Sequence, residues 1–309
     1  MRTALVFNAL IHKYNMDEKK IPSAYIIDDT PIAKSGYHIE RVSKIYDHST
    51  NSYKTGYKCL TCAFFDGRST IPVAFEFLRE SKKKNLGLTD EQLKTQYQKE
   101  RDADSPCSQR LQETDNDKIT IACNNVKKMY EQDIVGEYAI VDSWFMSERL
   151  LVEIRSIDDG AIHVVACAKR GNAQYAVQDK KYNIHALSAL YGSKKQYCRK
   201  YKCSYIKIKA KVGDIPVLIF IVCSGRNKTI DIIVTTDTSL DFVKCLEIYQ
   251  IRWNIEVLFK ECKQYLGLGK CQCRDFASQI ADTSLCYLTY MTLTLDKRVS
   301  DYETFLLGF

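Results

Sequence analysis

Residues 249–263 read Tyr249-Gln250-Ile251-Arg252-Trp253-Asn254-Ile255-Glu256-Val257-Leu258-Phe259-Lys260-Glu261-Cys262-Lys263. The surrounding pattern predicts one long helix from about Ser239 to Leu266. At about 100° per residue, Tyr249, Arg252, Glu256 and Lys263 fall within an arc of about 60°. Ile251, Ile255, Leu258, Cys262 and Leu266 cluster on the neighbouring arc, which predicts a stripe docked on a sheet. The polar quartet therefore lies beside a buried face, where Glu256 can reach toward carboxylates at the ends of strands. A helix turned wholly to solvent would need neither a tyrosine nor an arginine at those places.

Strands of the right kind lie upstream. Ser23-Ala24-Tyr25-Ile26-Ile27 is a buried strand running into Asp28-Asp29-Thr30-Pro31, and Tyr138-Ala139-Ile140-Val141 is another, ending on Asp142. Rigid backbone at a sheet edge is where open α/β sheets place their sites. Two or three carboxylates converging there make the oxygen-rich pocket that magnesium prefers. Taken singly, either aspartate is more readily a cap for the next turn. Arginine and lysine flanking such acids suit a phosphodiester, the acids holding metal and the cations holding phosphate.

Further outward, apolar segments Tyr57–Phe65 and Thr70–Leu78 meet at Asp66-Gly67 and predict a hairpin. Residues 81–117 are polar and predict a surface excursion with a frayed helix. A helix follows from about Lys118 to Glu131, with Asp115 to Asp117 offering caps. Another helix around Ser147–Arg155 and a strand His163–Ala168 come next. Alternating segments Tyr205–Lys211, Val217–Val222 and Thr229–Thr235 predict a small antiparallel sheet, and an apolar helix spans about Phe276–Leu295. The order predicts an α/β domain interrupted by a β-rich insertion. Its parts are a short N-terminal helical remnant (1–20), a first core segment (21–168), a basic insertion (169–235) and a second core segment (236–309).

Composition excludes several classes. The chain has 309 residues, 45% apolar and 27% charged, which fits a soluble globular protein rather than a disordered one. Its longest apolar run, Ile215–Cys223, is nine residues, about half of a membrane-spanning helix. The apolar stretch Ala4–Ile11 lacks a cleavage site and predicts a helix rather than an export signal, so a cytoplasmic location is expected. Thirteen cysteines, an odd number in a large chain, sit mostly within apolar periodic segments and act as small core residues. Cys59 and Cys62 have a zinc-like spacing, but in a strand their thiols point to opposite faces.

Charge is unevenly spread. Between Lys169 and Lys211 twelve Lys or Arg oppose a single acid, Asp179, and six tyrosines interleave with them, whereas the rest of the chain is net acidic. Such a mixture suits a polyanion whose bases can stack, or simply a solvated basic face.

The pattern Y-x2-R-x3-E-x6-K over Tyr249, Arg252, Glu256 and Lys263 is joined by Asp28-Asp29-Thr30 on a first strand and Val141-Asp142-Ser143-Trp144-Phe145 on a later one. With these the chain resembles the DDE transposases, in particular the insertion-sequence branch whose helix carries the YREK signature (insertion sequence family four). The resemblance implies a ribonuclease H-like core with a β insertion before the glutamate helix. It implies Asp29, Asp142 and Glu256 as catalytic and metal-binding acids for two Mg2+ ions, with Mn2+ as a substitute. Asp29 is favoured over Asp28 because it directly precedes Thr30. Arg252 and Lys263 would clamp phosphates, Tyr249 would pack on the backbone, and Trp253 would lie near a flipped base or in the core. Arg199, Lys200 and Lys202 of the insertion would grip double-stranded DNA, the terminal inverted repeats and target, as part of a homodimer, with nucleoid association when bound. The implied reaction is cut-and-paste transposition: in-line cleavage at the transposon ends, then strand transfer. A metal-dependent nuclease without strand transfer, or an inactive DNA-binding remnant, are the competing readings. Relatives carry a larger N-terminal domain, so a truncated copy is expected.

Overall fold

β1 (Ala24–Ala33) is the axis of the molecule, flanked by an antiparallel strand on one edge and a parallel one on the other. In this computed structural model residues 21–80, 84–171, 173–224 and 229–300 are described; the expected N-terminal helix and remnant, 1–20, lie outside them. After β1 come β2 (Ser43–Asp47), β3 (Ser52–Phe65) and β4 (Thr70–Leu78), then α1 (Asp90–Lys94), α2 (Pro106–Glu113) and α3 (Lys118–Tyr130). Next are β5 (Tyr138–Val141), α4 (Glu148–Arg155), β6 (His163–Cys167), β7 (Tyr175–Val177), β8 (Lys180–Tyr182) and α5 (Ile184–Leu190). The chain continues through β9 (Gln196–Cys198), β10 (Cys203–Val212), β11 (Ile215–Ser224) and β12 (Thr229–Thr235) to α6 (Phe242–Gln250), α7 (Trp253–Tyr265) and α8 (Phe276–Ser300).

The strands form one mixed sheet in the order β2-β3-β1-β5-β6-β12-β11-β10-β7-β8, with β4 also on β3 and β9 on β10. β3 is long enough to pair with β2 along its first half and β4 along its second. Read from β4 through β3, β1, β5 and β6, three antiparallel strands are followed by two running parallel to β1. This is the ribonuclease H-like arrangement that the family resemblance implies.

Strand alternation divides the core into two layers. Tyr25 and Ile27 of β1 join Ile121, Val126 and Met129 of α3 and Leu150 and Ile154 of α4 on one face. Ala24 and Ile26 join Phe242 and Ile248 of α6, Ile255 and Leu258 of α7 and Tyr287 of α8 on the other. Cys59 and Cys62 fall in different layers, as alternation requires of that spacing.

Local signals explain most boundaries. Asp117 caps α3 by accepting from the Thr120 amide, and Ser147 caps α4 by accepting from Leu150. Gly67 takes a left-handed φ of 99° in the β3–β4 turn, where Asp66 accepts the amides of Arg68 and Ser69.

Four expectations need correction. β1 does not stop before the acids; it runs on to Ala33 because β3 keeps pairing with it through Ala33 and Gly56. β2 was not foreseen. The expected long helix is two, α6 and α7, since i→i−3 bonds from the amides of Ile251, Arg252, Asn254 and Ile255 tighten the junction. Finally, the insertion does not close a sheet of its own: β12 pairs antiparallel with β6, so β10, β11 and β12 extend the core sheet.

Candidate active site

The parallel pairing of β1 with β5 ends at Ile27 and Val141. One residue further along each strand come Asp28 and Asp142. By alternation both are on the Ile26 and Ile140 side, the face covered by α6, α7 and α8. The sheet register thus sets two carboxylates side by side under the helix that carries Glu256.

Burial disfavours the charged form of Asp28 and Asp142 repels it, pushing its carboxyl from 3.8 up to about 7. One Asp28 oxygen accepts from the Asp29 amide at 2.8 Å and the other from Arg252 Nη1 at 3.1 Å. Arg252 donates through Nη2 to Glu256 Oε1. The guanidinium of Arg252, at the N-cap of α7, therefore bridges the strand acid and the helix acid, four residues from Glu256 and 224 from Asp28 in sequence. Asp142 accepts from the Trp144 amide at 2.8 Å.

Asp29 lies elsewhere. Alternation turns it to the α3 side of the sheet, where Lys58 of β3 approaches to 3.4 Å and Lys118 of α3 binds its other oxygen. Of the expected trio, the structure sets Asp142 beside Asp28 and links Glu256 to Asp28 through Arg252, and it leaves Asp29 on the opposite face of β1. The residue directly before Thr30 faces away from Glu256 for the same reason that Asp28 faces it.

Of the remaining expected residues, Lys263 donates to Thr30 Oγ1 at 2.6 Å, and burial holds its ammonium below the usual lysine range. The Tyr249 ring lies 5.9 Å from the Arg252 guanidinium carbon, beside rather than within the acid pair. Trp253 is 63% exposed, which removes it from the core and leaves its indole at the surface. Arg199, Lys200 and Lys202 sit between β9 and β10, with Lys200 paired to Glu247 of α6. Sequence reasoning missed Lys58 and Lys118. A lysine inside the otherwise apolar Tyr57–Phe65 run was a readable signal for the first; nothing local marked the second.

Asp28 and Asp142 fit a divalent cation: two adjacent carboxylates, one of them partly desolvated, repel until a positive charge is supplied. Glu256 is the third candidate, its carboxylate engaged here by Arg252. Among the described residues no three His, Cys, Asp or Glu side chains form a ready-made metal cluster. No helix among them is long and apolar enough to cross a membrane.

The model of the transposase DDE domain family matches residues 106–292, more than half of the chain, and the chain belongs to that family. No curated protein matches it. Among solved structures, the NurA nuclease of Sulfolobus solfataricus is similar with a TM-score of 0.34 and 9% identity, covering 81% of this chain and 82% of that one.

Proposed function

We propose that this chain is a metal-dependent DNA transposase that cleaves at transposon ends and joins the freed 3′ end to a target, acting as a homodimer on paired ends. Membership of the family supports a DNA-cleaving transposase function. The observation that carries the finer reading is the convergence of Asp28, Asp142 and the Arg252–Glu256 pair at one sheet edge.

In this reading Asp28 and Asp142, with Glu256, would hold divalent ions, Mg2+ or Mn2+. Bound there, such ions supply Lewis acidity to an attacking hydroxyl and to the leaving oxygen of a phosphodiester. The protein's own part is positional. β1 and β5 fix the aspartates to rigid backbone, α7 delivers Glu256, and Arg252 and Lys263 offer positive charge to phosphates. No side chain acts as a covalent nucleophile.

The test is metal-dependent nicking of end-bearing DNA. Asp28→Asn, Asp142→Asn and Glu256→Gln are each expected to lower it by at least ~100-fold, with DNA binding in chelator retained. Full activity in any one of them removes that acid from the triad. Joined products from pre-cut ends distinguish a transposase from a nuclease that only hydrolyses. For the basic insertion, Arg199→Gln, Lys200→Gln and Lys202→Gln together should flatten the dependence of binding on salt; an unaltered slope excludes that turn from the contact surface.

A further inference from the structure

On the α3 side of β1, across the strand from Asp28, Asp29 is bound by two lysines from different elements. Lys58 projects from β3, with its side chain only 5% exposed, and Lys118 is the first residue of α3, with its side chain 21% exposed. Lys118 also lies 4.9 Å from the centre of the Trp144 ring, so both Asp29 and the indole fix its ammonium. All four residues line one groove of about 1000 Å³ that also contains Asp28, Asp142 and Lys263.

A buried ammonium needs a compensating charge, and one carboxylate suffices for one lysine. Here one carboxylate serves two, so this cluster carries one positive charge in excess, within a groove whose lining balances six acids against six Lys or Arg side chains. A phosphodiester carries one negative charge and matches that excess. The Trp144 ring at the same wall also carries Lys169 of the basic stretch, 4.6 Å from its centre, which brings a third ammonium to this side of the groove.

We infer that Lys58 and Lys118 form a phosphate seat for the DNA strand lying in the groove next to the cleavage site, and that Asp29 is its positioning residue. Asp29 holds the two ammonium groups at fixed places, so that phosphate binding does not have to order two long side chains. This inference rests on the reading of the chain as a DNA-cleaving enzyme.

The experiment measures binding of a short DNA duplex in chelator as a function of salt, with thermal melts as a check on folding. Lys118→Gln, at the first residue of α3 and partly open to solvent, should fold normally, weaken binding at low salt and lower the slope of log K against log salt by about 0.9, one phosphate contact. Lys58→Gln with Lys118→Gln should lower it by about twice that. Asp29→Asn should leave divalent-ion binding by calorimetry unchanged, whereas Asp28→Asn should weaken it. A folded Lys118→Gln protein with the wild-type slope, or loss of ion binding in Asp29→Asn, overturns the seat. If the wild-type chain binds no duplex at any salt, the DNA-cleaving reading itself fails.

Discussion

At Asp28 a single carboxyl reports the state of the whole site. Its ordinary value in an unfolded chain is 3.8, and in the folded protein it is pushed up to about 7, by burial first and by Asp142 second. For a carboxyl raised in this way, the contribution of its protonated form is fully present below the unfolded value and lost as pH rises through the folded one. In chelator, the thermal stability of the wild type should therefore fall between about pH 4 and pH 7 relative to Asp28→Asn, and the difference should level off above. Melting curves of both proteins across that range check this; a pH-independent difference refutes it. The neighbouring choice, Asp29, illustrates what the sequence could tell. That two adjacent strand residues face opposite ways was legible. Which face would receive α7 was not, because nothing in Asp28-Asp29-Thr30 records the position of a helix more than 220 residues away.

Among the elements, the β3–β4 hairpin and α8 are tied by a buried pair. Arg298 donates to Asp66 at 2.5 Å, with side chains 1% and 2% exposed. Asp66 already accepts the amides of Arg68 and Ser69, so the turn and the end of α8 share one carboxylate. Removing the cation leaves that carboxylate uncompensated, and Arg298→Met should cost about 3–5 kcal/mol, read from the midpoint of urea unfolding. Adding Asp66→Asn to it should recover part of the loss; no recovery means the cost is packing alone. Element existence was readable where local chemistry dominates. Thr70–Leu78 and Tyr138–Val141 were found with their observed limits, and Asp117 was among the caps foreseen for α3. β2 escaped because Ser43-Lys44-Ile45-Tyr46-Asp47 is short and gains its strand character from β3. The break between α6 and α7 escaped because Ile251 and Arg252 keep helical backbone and only the hydrogen-bond pattern shifts.

Across the whole molecule the continuous sheet has the largest consequence. β12 covers the edge of β6, and Leu218, Phe220 and Ile233 from the insertion pack in the same layer as Ile255 and Leu258 beneath the site. The insertion is therefore part of the core that holds Glu256 in place. Replacing residues 169–235 by a short flexible linker should abolish the cooperative unfolding transition, because it exposes the β6 edge and empties that layer. Circular dichroism during urea titration decides this; a cooperative transition in the shortened chain would make the insertion a separable unit.

The alternation of Ala24 to Ile27, the apolar stripe of Ile255, Leu258 and Cys262, and the Tyr249, Arg252, Glu256 and Lys263 spacing are properties of a few consecutive turns or pleats. Short-range sterics and periodicity carry them, so the chain alone determined most of the helices and strands and the helical character of the segment with Glu256, and the family resemblance added the fold class. Partnership across the sheet is a long-range matter. The register of Ile27 against Val141, the covering of one face by α7, and the Lys58 and Lys118 contacts to Asp29 arise only when distant segments pack. For that reason only the tertiary structure decided that Asp28, rather than Asp29, meets Asp142 and Glu256.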